Sequence, residues 1–132
     1  VLRRMTVDLR FGTEIVVCPI VRDHDGLALS SRNAYLSPVE RAQALALSRA
    51  VRRVESLAAD GERRAHALIE AAREVFTAAG SAFPGAPEVR IDYIALVDWA
   101  TLEPVEAAVP GTLFAVAAWV SSTRLIDNAV LL

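Results

Sequence analysis

Three consecutive side chains, Ser30, Ser31 and Arg32, put two hydroxyls and a guanidinium into one short stretch of chain. Hydroxyls and backbone N–H groups donate to phosphate oxygens, and arginine adds a planar fork of charged donors that suits a phosphate or a carboxylate. Upstream, the β-branched run Ile15, Val16 and Val17, bounded by Gly12 and Pro19, predicts a short buried strand over residues 13–18. Asp25-Gly26 then signals a turn. In open α/β sheets, ligands bind where a loop leaves the carboxyl end of such a strand. An anion-binding loop is therefore one reading, and an ordinary solvated connection, common for loops of this composition, is the other.

Other chemistry-bearing residues carry less. His24 lies in the same loop without a defined partner. His66 falls among Glu62, Glu70 and Arg73 on a polar helix face, where a solvated imidazole is the plain reading. Arg49, Arg52 and Arg53 interleave with Glu55 and read as the wet side of a helix rather than an anion site. Trp99 and Trp119 read as packing residues. Asp127 and Asn128 sit in a terminal strand, with either a cleft-facing or a capping role open to them. Arg124 is expected to form a buried ion pair with Asp92 or Asp98.

These residues need elements to position them. Val1, Leu2, Met5 and Leu9 share one side of a short helix, which with the strand at 13–18 predicts one helix and one strand of a larger α/β sheet. Ser37, Pro38 and Glu40 predict the start of a long helix: N-cap, first-turn proline and capping box. Leu47, Ala50, Val51, Val54, Leu57 and Ala58 continue it at helical spacing, and Asp60-Gly61 ends it. A second amphipathic helix carries Ala65, Leu68, Ile69, Ala72, Val75, Phe76 and Ala79, with Gly80 as its expected stop. After a loop at 81–87 the period changes. Val89, Ile91 and Tyr93 alternate with Arg90 and Asp92, and residues 113–120 and 124–131 supply two further strands. The predicted architecture is an α/β fragment over residues 1–36, followed over residues 37–132 by an α+β domain with two helices on a small antiparallel sheet. The apolar faces of residues 1–36 then need a partner: another chain, the second domain, or else poor order.

Composition narrows the partners. At 132 residues, with 54% hydrophobic and 23% charged, the chain can bury one core. A net charge of -2 offers no basic field for nucleic acid. The longest apolar run, residues 113–120, is far short of the roughly twenty residues that cross a bilayer, so no membrane partner is expected. The single Cys18 cannot form an internal disulfide and reads as a packed small hydrophobe in the predicted strand, which suits a reducing cytoplasm.

Taken in order, several segments resemble the carboxy-terminal part of the pantothenate synthetase (pantoate–β-alanine ligase) family. They are Leu2-Arg3-Arg4-Met5-Thr6-Val7-Asp8-Leu9, Pro19-Ile20-Val21-Arg22, Asp25-Gly26-Leu27-Ala28-Leu29-Ser30-Ser31-Arg32-Asn33 and Tyr35-Leu36-Ser37. Asp92-Tyr93, Leu96-Val97-Asp98 and Thr123-Arg124-Leu125-Ile126-Asp127-Asn128 extend the likeness to the end of the chain. The resemblance implies that residues 1–36 close a Rossmann-like ATP-binding domain and that residues 37–132 form a lid. It implies a ligase that converts ATP, with Mg2+, and pantoate into a pantoyl adenylate and pyrophosphate, then lets β-alanine displace AMP. Ser30, Ser31 and Arg32 correspond to its mobile phosphate-binding loop, with Arg32 as the catalytic charge donor. Leu29 belongs to the same loop, and the backbone of Val21 meets adenine. No direct role follows for Arg22 or Asp25.

The family's histidine-rich motif, its pantoate-holding glutamines and a lysine–aspartate pair belong to an amino-terminal half. This chain has no lysine, and His24 and His66 are its only histidines. The expectation is a fragment of a longer enzyme, inactive alone. Its partners would be the amino-terminal half of the same protein and, since the family pairs through that half, a homodimer. The Mg2+ ligand is expected outside the chain. The competing reading is a noncatalytic interaction or regulatory module that keeps the lid fold; retention of Ser30, Ser31 and Arg32 beside the Asp25-Gly26 turn argues for the ligase.

Overall fold

The computed structural model describes residues 1–131; Leu132, the end of the second expected segment, lies outside the described residues. The order of elements is α1 (Leu2–Asp8), a 3-10 helix (Ser31–Tyr35), α2 (Pro38–Ala59), α3 (Ala65–Ser81), β1 (Val89–Val97), β2 (Leu113–Val120) and β3 (Thr123–Val130). The strands form one antiparallel sheet in the order β1-β2-β3, so β2 is central and β3 is an edge.

Two helices cover one face of this sheet because their apolar residues recur at three- and four-residue steps. In α2 the stripe is Ala44, Leu47, Val51, Val54 and Ala58, and in α3 it is Ala65, Leu68, Ala72, Phe76 and Ala79, all buried. They meet Phe114, Val116, Ala118 and Val120, the alternate residues of β2, each fully buried. Leu96 and Ile94 from β1 and Leu125 from β3 complete the layer.

The helix ends follow the chemistry of their first residues. Ser37 Oγ accepts from Glu40 N at 3.3 Å and Glu40 Oε2 accepts from Ser37 N at 2.8 Å, a complete capping box. That contact holds the Glu40 carboxyl below its ordinary range, the Ser37 backbone N–H being the main cause. Before α3, Glu62 gathers the Arg64 guanidinium and the N–H groups of Arg64 and Arg63, and its pKa drops to about 2, chiefly through the Arg64 side chain. Gly61, at φ 100, supplies the left-handed turn after α2.

Several expectations are corrected. Residues 13–18 form no strand, because no strand lies beside them to take their backbone hydrogen bonds. Cys18 is accordingly exposed, not packed. The short helix forms as α1, but none of its residues is buried. Gly80 does not stop α3, which runs on to Ser81. Tyr93 does not share a face with Val89 and Ile91: a bulge at Asp92 shifts the register, so Ile91 pairs with Ala118 and Tyr93 with Ala117. The phase change turns Tyr93 outward and Ile94 and Leu96 inward. Trp99 is half exposed rather than packed. Trp119 carries the Arg90 guanidinium 5.7 Å from its ring centroid.

Candidate functional site

The loop that carries Ser30, Ser31 and Arg32 grows out of a short hairpin. Leu29 N donates to Val21 O at 2.8 Å, Asp23 N to Leu27 O at 2.8 Å and Gly26 N to Asp23 O at 2.9 Å, with Arg22 and Ala28 bridged across. The turn needs Gly26: its φ is 93, and a Cβ there would strike the Arg52 guanidinium. Asp25 Oδ1 accepts from Leu27 N at 3.2 Å, the aspartate-turn geometry. Leu27 then drops into the core, 3% exposed; burying such a side chain stabilises by about 1.5–3 kcal/mol.

Immediately after the hairpin, Ser30 begins the 3-10 helix. Its Oγ accepts from Arg32 N at 3.2 Å, which leaves the serine O–H free to donate elsewhere. Asn33 is buried and fastens this turn to the hairpin, its Nδ2 donating to Ala28 O at 3.1 Å. Arg32 is exposed and forms no ion pair among the described residues. Its charge is uncommitted.

A cleft of about 350 Å³ opens between this loop and the edge strand β3. Leu29, Ser30 and Arg32 form part of one wall, and Arg124, Asp127 and Asn128 form part of the other. The structure thus brings together three of the expected site residues. Val21 and Ser31 are exposed and lie outside the residues lining the cleft. Val21 stays close through its backbone bond to Leu29.

Charged pairs fix the cleft's surroundings. Asp127 accepts two bonds from Arg22, Nη1 at 2.7 Å and Nη2 at 3.0 Å, and these raise the arginine pKa. Arg41 of α2 donates from Nε to Asp25 at 2.9 Å and from Nη2 to Asp23 at 2.8 Å. The Arg41 bond is the main reason the Asp25 carboxyl titrates below its ordinary range. Arg124 pairs with Asp92 at 2.9 and 2.8 Å and lies 5.9 Å from the Tyr93 centroid. The expectation of a buried pair is corrected: it is partly exposed, because it sits on the uncovered face of the sheet. Asp98 instead accepts from the N–H groups of Ala100 and Thr101, which lower its pKa, Thr101 being the larger cause.

Sequence reasoning missed Arg22 and Asp127 as partners. The signal was present in the alternation of β3: Leu125 and Asp127 fall on the buried face, and a carboxylate there requires a cation. Which cation could not be read from strand periodicity, since Arg22 lies 105 residues away.

The comparisons with known proteins agree along the whole chain. The family model described as pantoate-beta-alanine ligase matches residues 1–130. The pantothenate synthetase of Koribacter versatilis is 50% identical over 131 residues, which are 99% of this chain and 43% of that protein. That of Anaeromyxobacter dehalogenans is 54% identical over 128 residues, 97% of this chain and 42% of that protein. The crystal structure of pantothenate synthetase from Thermus thermophilus superposes with a TM-score of 0.86 at 41% identity, covering 98% of this chain and 44% of that one. The ligase of Francisella tularensis, a complex with beta-gamma ATP and beta-alanine, shares the fold at a TM-score of 0.60 and 21% identity, over 98% of this chain and 38% of that one. The chain spans less than half the length of these relatives. With the family match running over residues 1–130, and half of the residues shared with a relative across nearly the full chain, this protein belongs to the pantoate-beta-alanine ligase family.

Proposed function

We propose that the chain is the carboxy-terminal part of an ATP-dependent ligase that joins pantoate to β-alanine through a pantoyl adenylate, releasing pyrophosphate and AMP. Residues 1–36 close its Rossmann-like nucleotide-binding domain and residues 37–132 form the lid over it. The observation that carries the reading is the cleft in which Leu29, Ser30 and Arg32 face the terminal strand, in a chain of this family.

In this mechanism the Ser30 and Ser31 hydroxyls donate to phosphate oxygens of ATP, and Arg32 brings the charge. Attack by the pantoate carboxylate on the α-phosphorus breaks the bond to pyrophosphate, and negative charge builds on the departing oxygens. A preorganised guanidinium stabilises that charge more than it stabilises ATP at rest, so it lowers the barrier. Leu29 belongs to the same loop on the phosphates, and the backbone at Val21 meets the adenine. Mg2+ enters with ATP as part of the substrate. The amino-terminal half of the protein supplies the groups that bind pantoate and the surface through which two copies of the whole protein form a homodimer, and the ligation needs both parts, in the cytoplasm.

The test is Arg32→Ala in the chain combined with its amino-terminal half. Pyrophosphate release should fall by more than about a hundredfold, the usual consequence of removing one preorganised donor. Near-normal release would remove Arg32 from the mechanism.

A further inference from the structure

The Ser30–Arg32 loop is held by the far end of the chain. Arg22 opens the hairpin, and its Nη1 donates both to Gly26 O at the hairpin tip, at 3.1 Å, and to Asp127 on β3. Asp127 is 1% exposed in its side chain and Arg22 is 31% exposed, so the carboxylate depends on this arginine for its charge partner. Asp127 also lines the cleft that Ser30 and Arg32 face. An unpaired carboxylate there would repel a phosphate; tied to Arg22 by two bonds it does not.

The geometry points to Arg22 and Asp127 as positioning residues for the phosphate-binding loop: the pair clamps the hairpin to β3 and screens the aspartate charge from the nucleotide. Arg41, gripping Asp23 and Asp25, braces the other side of the hairpin against α2. Asn33, through Ala28 O, carries the clamp into the 3-10 helix that holds Arg32. The inference rests on the reading of residues 29–32 as an ATP loop, so its test has one arm that does not use nucleotide.

In the chain itself, Asp127→Asn should raise amide exchange at Gly26 and Leu29 by at least about tenfold, while the amides of β2 keep their protection, because the change opens a local unit and not the core. In the combined enzyme the same variant should raise KM for ATP by about tenfold with a smaller change in kcat, as expected when a binding loop is misplaced. The exchanged pair R22D/D127R should recover part of both losses. Unchanged exchange at Gly26 and Leu29 would overturn the clamp, as would equal loss of protection in β2, which is the mark of a merely structural pair. If exchange rises and KM for ATP is unmoved while Arg32→Ala remains defective, the positioning role falls and the ATP-loop reading stands. If Arg32→Ala is also without effect, both fall together.

Discussion

Residues 1–21 and residues 22–36 adjoin each other and neither contains a strand of the sheet, yet the first lies open and the second is fastened. Val7, Val16, Val17 and Val21 are each more than half exposed, and one long bond, Arg3 Nη2 to Ile15 O at 3.5 Å, ties α1 to the extended stretch after it. In residues 22–36, by contrast, Leu27 is buried, Leu36 packs on the core, Arg22 grips β3 and Asp23 and Asp25 grip α2. The first segment is the more apolar of the two. Apolar content gives a segment something to bury; it is fixed only where a complementary surface or charge stands opposite.

The contrast can be probed from its strongest side downward. Phe114, fully buried in β2, belongs to the same core cluster as the apolar stripes of both helices and Leu27 of the loop. Phe114→Ala should cost about 3–5 kcal/mol in urea unfolding, with protection lost from 22–36 as well as from the sheet. If the loop keeps its protection in that variant, it is not fastened to this core. Ser37→Ala removes a capping contact and should lower stability by about 1 kcal/mol. An unchanged urea midpoint would show that the Ser37 hydroxyl is not capping α2.

Acid should loosen the loop through Asp25. Arg41 lowers this carboxyl below its usual 3.8, so its contribution is complete above that value and is lost as pH falls through the lower, folded value. Protection of the Leu27 amide, measured against the β2 amides, should fall in that window, and constant relative protection would contradict it. The smallest effect belongs to the open segment. Removing residues 1–18 should shift stability by less than about 0.5 kcal/mol, the range of surface changes without partners. A drop well beyond that would mean the segment is packed after all.

The helices and strands of residues 37–131 were legible because each has a strong periodic stripe or an N-cap signal, as at Ser37. The helix stop and the phase of β1 were not. Gly80 has no positive φ to impose a turn, and the bulge at Asp92 leaves no mark in an alternation that reads smoothly through it. The predicted strand at 13–18 failed for a different reason: β-branched residues favour a strand only where another strand pairs with them. At the site, Ser30 and Arg32 were legible from residue type and family likeness. The wall opposite them was not, since strand periodicity shows that Asp127 faces inward and cannot show that it meets Arg22.

The most direct measurement is pantothenate and AMP formation from ATP, Mg2+, pantoate and β-alanine, by the chain alone and with a separately produced amino-terminal half. Product is expected in the mixture and none from the chain alone. Pantothenate made by the chain alone, or none from a mixture in which the two parts are shown to bind, would contradict that expectation.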